Sequence, residues 1–187
     1  MDELARTAAD AAGGDPLAAA ALVRATQSDV WRLCAALGDR NDADDLAQET
    51  YLRAFGSLHR FENRSSVRTW LLSIARRVCA DAVRARRRRR LTLVRDDGDL
   101  ERLPAGRARD PVAEGATVSD LLRRLDADRR EAFVLTQVLG LPYAEAAEVA
   151  GCPVGTIRSR VARARADLVD SLGGVSTDGP EGDAAHG

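Results

Sequence analysis

A chain of 187 residues exceeds the usual span of one domain, about 100 to 150 residues, so it admits either one medium domain or two small ones. At 45% hydrophobic and 30% charged it can build real cores, which excludes wholesale disorder, and with aromatics at only 4% the apolar content is chiefly Ala, Leu and Val, favouring packed helices over a β-sandwich. The 28 basic and 29 acidic residues leave a net charge of −1, which argues against a uniformly basic nucleic-acid binder, yet residues 76–95 hold nine Arg and one Asp while residues 96–120 hold three Arg and seven acids.

Residues 1–15 carry Asp2, Glu3 and Asp10 with no apolar run after a basic start, so they read as a flexible N-terminus and not as a secretory leader. Helical periodicity then runs over residues 16–37, 42–55 and 66–88, with breaks at 38–41 and 56–65; these segments are expected to pack as one bundle over 16–92. Across 93–117 the periodicity fails among Asp97, Gly98, Pro104, Gly106 and Pro111, which reads as a flexible linker. A second helical unit is expected over 118–172, with segments near 118–125, 128–139, 143–150 and 154–172, followed by a polar tail at 173–187 that reads as disordered. The expected fold class is therefore all-α, two small helical domains joined by a linker.

The longest membrane-like stretch, residues 70–83, is broken by Arg76, Arg77 and Asp81 and falls short of the roughly 20 apolar residues a span needs, so no membrane insertion and a cytoplasmic location are expected. Cys34, Cys79 and Cys152 lie far apart without a CxxC pair, and His59 and His186 are the only histidines, so neither a zinc site, nor a disulfide framework, nor any cofactor is suggested. No glycine-rich phosphate loop or catalytic constellation can be assembled, and the chain is not expected to be an enzyme.

Three surfaces carry chemistry. A helix ending near Gly151, the Gly-Cys-Pro corner and a second helix bearing Arg158, Arg160, Arg163 and Arg165 have the organisation of a helix-turn-helix. Projected at about 100° per residue, Ile157, Val161, Ala164 and Leu168 form the buried stripe, leaving Thr156, Arg158, Ser159, Ala162 and Arg163 outward. Such a face presents guanidinium forks to guanine edges, small Ala162 permits close approach, and Thr156 and Ser159 suit phosphates; the bland alternative is an amphipathic surface helix with solvated arginines. On residues 70–88, Leu71, Ile74, Ala75, Val78 and Ala82 make the apolar side, whereas Ser73, Arg76, Arg77, Ala80, Arg84 and Arg87 share the other and run into Arg86–Arg90. A basic stripe of about four turns fits a phosphate backbone better than a compact anion. The preceding loop adds Arg60, Phe61, Asn63, Ser65 and Ser66, and with Trp70 it offers rings and polar groups to single-stranded bases, although Phe61 and Trp70 also suit a core. On residues 42–55, Asp42, Asp45 and Glu49 align at i, i+3 and i+7 beside Gln48 and Leu52. Like charges so placed weaken an isolated helix by about 0.2–0.5 kcal/mol per pair, a cost that a basic protein partner offsets; Asp42 also suits a helix cap.

The stretches DADDLAQETYLRAF (42–55), SSVRTWLLSIARRVCAD (65–81) and GLPYAEAAEVAGCPVGTIRSRVARAR (140–165), in that order, resemble a bacterial sigma factor of the extracytoplasmic-function group. The resemblance implies that Asp42, Asp45, Leu46, Gln48, Glu49 and Leu52 meet the β′ clamp helices of core RNA polymerase, with further contact to the β flap. It implies that Arg60, Phe61, Asn63, Ser65, Ser66, Trp70, Ser73, Arg76, Arg77, Ala80, Arg84 and Arg87 form a minus-10 surface that captures a base of the non-template strand, Arg77 standing where family members vary. Thr156, Arg158, Ser159, Ala162 and Arg163 would read duplex minus-35 DNA, and an anti-sigma partner is a further expectation. A one-component regulator that binds operators through the same helix-turn-helix is the alternative left open by the residues alone.

Overall fold

The computed structural model describes residues 3–96 and 117–173, all of it helix, turn or loop with no strand among the described residues. Four helices form the first unit: α1 (Glu3–Ala12), α2 (Pro16–Leu37), α3 (Ala43–Ser57) and α4 (Val67–Asp96). The second holds α5 (Val118–Arg124), α6 (Ala127–Phe133), a π-helical turn over Val134–Val138, α7 (Tyr143–Ala150) and α8 (Val154–Gly173).

Helix starts follow capping chemistry. The Asp15 carboxylate accepts from the Leu17 amide ahead of Pro16, which sits in the first helical turn of α2 where its missing N–H costs nothing. Thr117 and Asp120 form a reciprocal capping box that opens α5, and the Asp120 carboxyl is held below the usual carboxylate range by the Thr117 hydroxyl and amide. Asp42, a candidate cap of α3, makes no side-chain cap bond, because its carboxylate is bound to Arg86 of α4.

Two expectations change. Of the expected flexible N-terminus, residues 3–12 are the helix α1, which packs along α2 with Ala8 buried. The break expected at 93 falls later, since the arginine run is itself helical and α4 continues to Asp96, arginine being a good helix former. The rest of the expected linker, and the tail beyond residue 173, lie outside the described residues.

The two units share one core. Val30, Leu33, Leu71, Leu72 and Val78 of the first unit belong to the same buried cluster as Leu122, Val134, Leu135, Ile157 and Val161 of the second. At about 1.5–3 kcal/mol per fully buried aliphatic side chain, this apolar contact is the main force holding α2 and α4 against α6 and α7. A second cluster, Ala8, Leu22, Leu58 and Val67, lies wholly in the first unit.

Candidate nucleic-acid interface

The helix-turn-helix forms as its spacing requires. Gly151 adopts φ +65 and ψ 38, a left-handed conformation that ends α7 at no steric cost, and Pro153 precedes α8. Ile157, Val161 and Ala164 are fully buried and Leu168 is half-buried, so the deduced stripe is the inner face. Arg158, Ser159, Ala162 and Arg163 are exposed, Thr156 half-exposed, and Ser159 donates to the Thr156 carbonyl at 3.0 Å. The other two arginines are used internally: Arg160 binds Asp128, and Arg165 donates to Gln137 Oε1 at 2.7 Å. Among the described residues neither Arg158 nor Arg163 has an acidic partner.

On the face expected to meet minus-10 DNA, the loop between α3 and α4 runs from Phe61 to Ser66, with Asn63 at φ 53 on its tip. Ser66 caps α4 by accepting from the Thr69 amide at 3.0 Å. Phe61 lies 5.0 Å from Trp70, ring centre to ring centre, and both rings are half-buried, so they combine anchoring with an accessible edge. Arg60, Arg64, Ser65, Ser73 and Arg77 surround them in an open cavity of about 270 Å³, with Glu62 and Thr69 also on its wall. Arg84 and Arg87 are exposed further along α4, Arg84 paired with Asp81 at 2.5 Å.

The second unit lies over part of this face. Arg76 is bound by Glu131 of α6, Thr69 donates to Glu145 of α7 at 2.5 Å, and Arg68 donates to the Leu139 carbonyl at 2.6 Å while also binding Asp29 at 2.7 Å. Ala80 lines a crevice with Asp128, Arg130 and Glu131, and Glu148 reaches the edge of the Phe61–Trp70 cavity. Glu131 is almost fully buried; burial pushes its carboxyl up, opposed by the Arg76 guanidinium. Glu131, Glu145 and Arg68 were missed in the sequence. A signal existed for Glu131: it precedes Val134, Leu135 and Val138 at helical spacing, and an acid on an apolar stripe needs a partner.

On α3, Asp45 and Gln48 are exposed and Leu52 is 63% exposed, an apolar side chain projecting into solvent. Glu49 is half-buried and bound to Arg53 at 2.7 Å, and Arg53 in turn holds Asp81 at 2.9 Å. Arg53 and Arg84 together hold the Asp81 carboxyl below its usual range. Leu46 is a correction: it is buried against Gly38, whose absent side chain leaves it room, and so belongs to the core and not to a partner surface. Beside this face an open groove between α2 and α3 is lined by Trp31, Asp44, Ala47, Gln48 and Tyr51, and the Trp31 indole N–H donates to Asp44 at 2.8 Å. No group of ligating side chains arranged for a metal occurs among the described residues, and none of the described helices is long and apolar enough to cross a membrane.

Helices throughout the described residues, a helix-turn-helix with outward arginines, a separate basic and aromatic face and an acidic helix face have the organisation expected of a promoter-recognition protein. Residues 22–89 match the family model for Sigma-70 region 2, and residues 116–168 match that for Sigma-70, region 4. The ECF RNA polymerase sigma factor SigC of Mycobacterium tuberculosis is 51% identical over 164 residues, covering 87% of each chain. The structure of CnrH in complex with the cytosolic domain of CnrY superposes with a TM-score of 0.71 at 31% identity, over 94% of this chain and all of that one. The sigma factor RpoE of Bartonella quintana, in complex with the anti-sigma factor NepR, gives 0.62 at 30% identity over 81% of this chain and 94% of that one. The chain belongs to the extracytoplasmic-function group of the sigma-70 family of RNA polymerase sigma factors. It is an alternative sigma factor, which works with core RNA polymerase on promoter DNA to initiate transcription.

Proposed function

We propose that the two DNA-reading faces act at separate promoter elements and that each residue serves as its placement dictates. Arg158 and Arg163 read base edges of the minus-35 duplex, with Thr156 and Ser159 on phosphates. The observation that carries this assignment is the division of the α8 arginines: Arg160 and Arg165 are spent on Asp128 and Gln137, whereas Arg158 and Arg163 project outward beside Ala162 without an acidic partner among the described residues.

At the minus-10 element, the Phe61–Trp70 cavity receives an unstacked base, with Arg60, Arg77, Ser65 and Ser73 around it and Arg84 and Arg87 along the backbone. Stacking on aromatic rings contributes about 1–3 kcal/mol per base, comparable to the few kcal/mol needed to extrude one nucleotide. The protein acts by binding alone: free energy of base capture drives strand opening, and no covalent step is required of it. Core polymerase docks on the α3 face, through Asp45, Gln48, Glu49 and exposed Leu52, with the Trp31–Tyr51 groove alongside.

In the form described here Arg76 and Thr69 are engaged by Glu131 and Glu145, so the second unit must move from α4 before the whole minus-10 stripe meets DNA. Polymerase, by separating the two units onto distant elements, supports the open form. An anti-sigma protein that holds the units together would support the closed one; the relative from Bartonella quintana is solved in complex with an anti-sigma factor. A cytoplasmic location follows from this role.

Run-off transcription with core polymerase on pooled promoter DNA tests the reading. Starts that need this protein and share two upstream elements at constant spacing support it; binding of duplex operators without polymerase, and no starts, overturns it.

A further inference from the structure

Helix α1 lies outside the region 2 match, which begins at residue 22, and the functions above give it no task. It is nonetheless built to stay in one place. Gly13 closes the helix by donating to the Ala9 carbonyl at 3.0 Å, Gly14 at φ +95 reverses the chain, and Asp15 caps α2. So short a connection returns α1 alongside α2.

Its inner face is Leu4, Ala5, Ala8 and Ala11, spaced as one side of a helix, and the small alanines allow close approach. Ala8 is buried with Leu22, Leu58 and Val67, and Phe61 and Trp70 pack on the same cluster. Leu58 precedes the base-reading loop, while Phe61 and Val67 bracket it. Both roots of that loop, and both rings, therefore rest on the floor that α1 closes.

We propose that α1 is a positioning element for the minus-10 reading, with Ala8 its central contact, and that it fixes the height and tilt of the Phe61–Trp70 pair at the mouth of the base cavity. The proposal rests on the assignment of that cavity to base capture. Among the described residues every member of this cluster belongs to the first unit, so α1 keeps its task after the units separate, when Trp70 loses only its packing on the shared core.

Full-length Ala8→Gln and Leu4→Asn, each assayed with core polymerase, test it, with Ala8→Ser as the conservative control. Opening of a duplex promoter, followed by 2-aminopurine fluorescence at the minus-10 element, is expected to slow by about tenfold, the equivalent of about 1.4 kcal/mol of lost base stacking. Affinity for core polymerase stays at the parent value, and initiation from a template already mismatched across the minus-10 element recovers. In a Trp31→Phe background Trp70 becomes more accessible to acrylamide, and Ala8→Ser matches the parent throughout. Parental opening rates in both Ala8→Gln and Leu4→Asn overturn the proposal, as does a loss of polymerase affinity and mismatched-template initiation in step with duplex opening, which marks a merely structural helix. If the parent captures no minus-10 base while Trp70 still loosens in the variants, the cavity assignment fails and the proposal with it, although the packing stands.

Discussion

Arg76 of α4 and Glu131 of α6 form an ion pair across the two helical units, with the carboxylate almost fully buried and the arginine side chain about one-third exposed, at 34%. Arg76 also lies on the basic stripe proposed to meet minus-10 DNA, so the same guanidinium would serve either closure or DNA. Glu131→Gln keeps the shape and a neutral hydrogen bond but removes a charge that burial disfavours more than Arg76 favours it, so closure tightens by roughly 1 kcal/mol, about fivefold in the balance of forms. The variant is expected to bind a labelled single-stranded minus-10 oligonucleotide less tightly than the parent in fluorescence anisotropy without polymerase. Equal affinity would show that closure does not limit access. Arg76→Ala behaves differently, since it strands the buried carboxylate; the loss is on the order of 1–3 kcal/mol, below the 3–5 of a fully buried pair because Arg76 is partly screened.

The same pair gives closure a pH dependence. Burial raises the Glu131 carboxyl in the closed form, with Asp128 adding to the rise and Arg76 and Arg160 opposing it, whereas in an open form it returns to the ordinary glutamate range. The closed form then binds protons more readily. Its stability relative to the open form is greatest below the ordinary glutamate value and declines as pH rises through the raised one. Energy transfer between dyes placed on the two units is expected to increase on acidification from neutral pH, and Glu131→Gln to flatten that slope. A slope of the opposite sign, or one that persists in the variant, refutes the assignment to Glu131.

The legible parts of this protein were those governed by local rules. The α8 stripe of Ile157, Val161 and Ala164, the left-handed Gly151 and the Pro153 start of α8 need only 3.6-residue periodicity and turn chemistry. Helix α1 escaped although its faces contrast sharply, Leu4, Ala5, Ala8 and Ala11 against Glu3, Arg6 and Asp10, because its inner face is mostly small alanines and its order comes from Leu22, Leu58 and Val67, which lie elsewhere in the chain. Leu46 sat on the boundary between the apolar and acidic sides of α3, and only Gly38 opposite decided it for the core. The contacts of Glu131, Glu145 and Arg68 depend on how two units meet, information that no single helix carries.

Polymerase docking on α3 is expected to be separable from promoter choice. Leu52 is exposed on a face with Asp45 and Gln48, and burying such a side chain at an interface is worth about 1.5–3 kcal/mol. Leu52→Asp is expected to lower affinity for core polymerase by about tenfold or more and to reduce transcription from every promoter by the same factor, while thermal stability stays near the parent value. Promoter-dependent losses in a titration of polymerase would move Leu52 from docking to DNA reading.

The four arginines of α8 divide into two pairs with opposite signatures. Arg163→Ala, or Arg158→Ala, removes an outward guanidinium and is expected to cost about 1–3 kcal/mol at one minus-35 base pair, so that the mutant no longer distinguishes bases there. Arg160→Ala instead strands Asp128 and loosens α8 from α6. Asp128 is mostly exposed, so the loss is small, within about 1 kcal/mol, and appears as a lower melting temperature with base preference intact. Competition binding over minus-35 duplexes substituted one pair at a time, with calorimetry on the same variants, separates the two effects. Retained discrimination in Arg163→Ala and Arg158→Ala would limit both to phosphate contacts, where a shallower salt dependence of binding is the remaining trace.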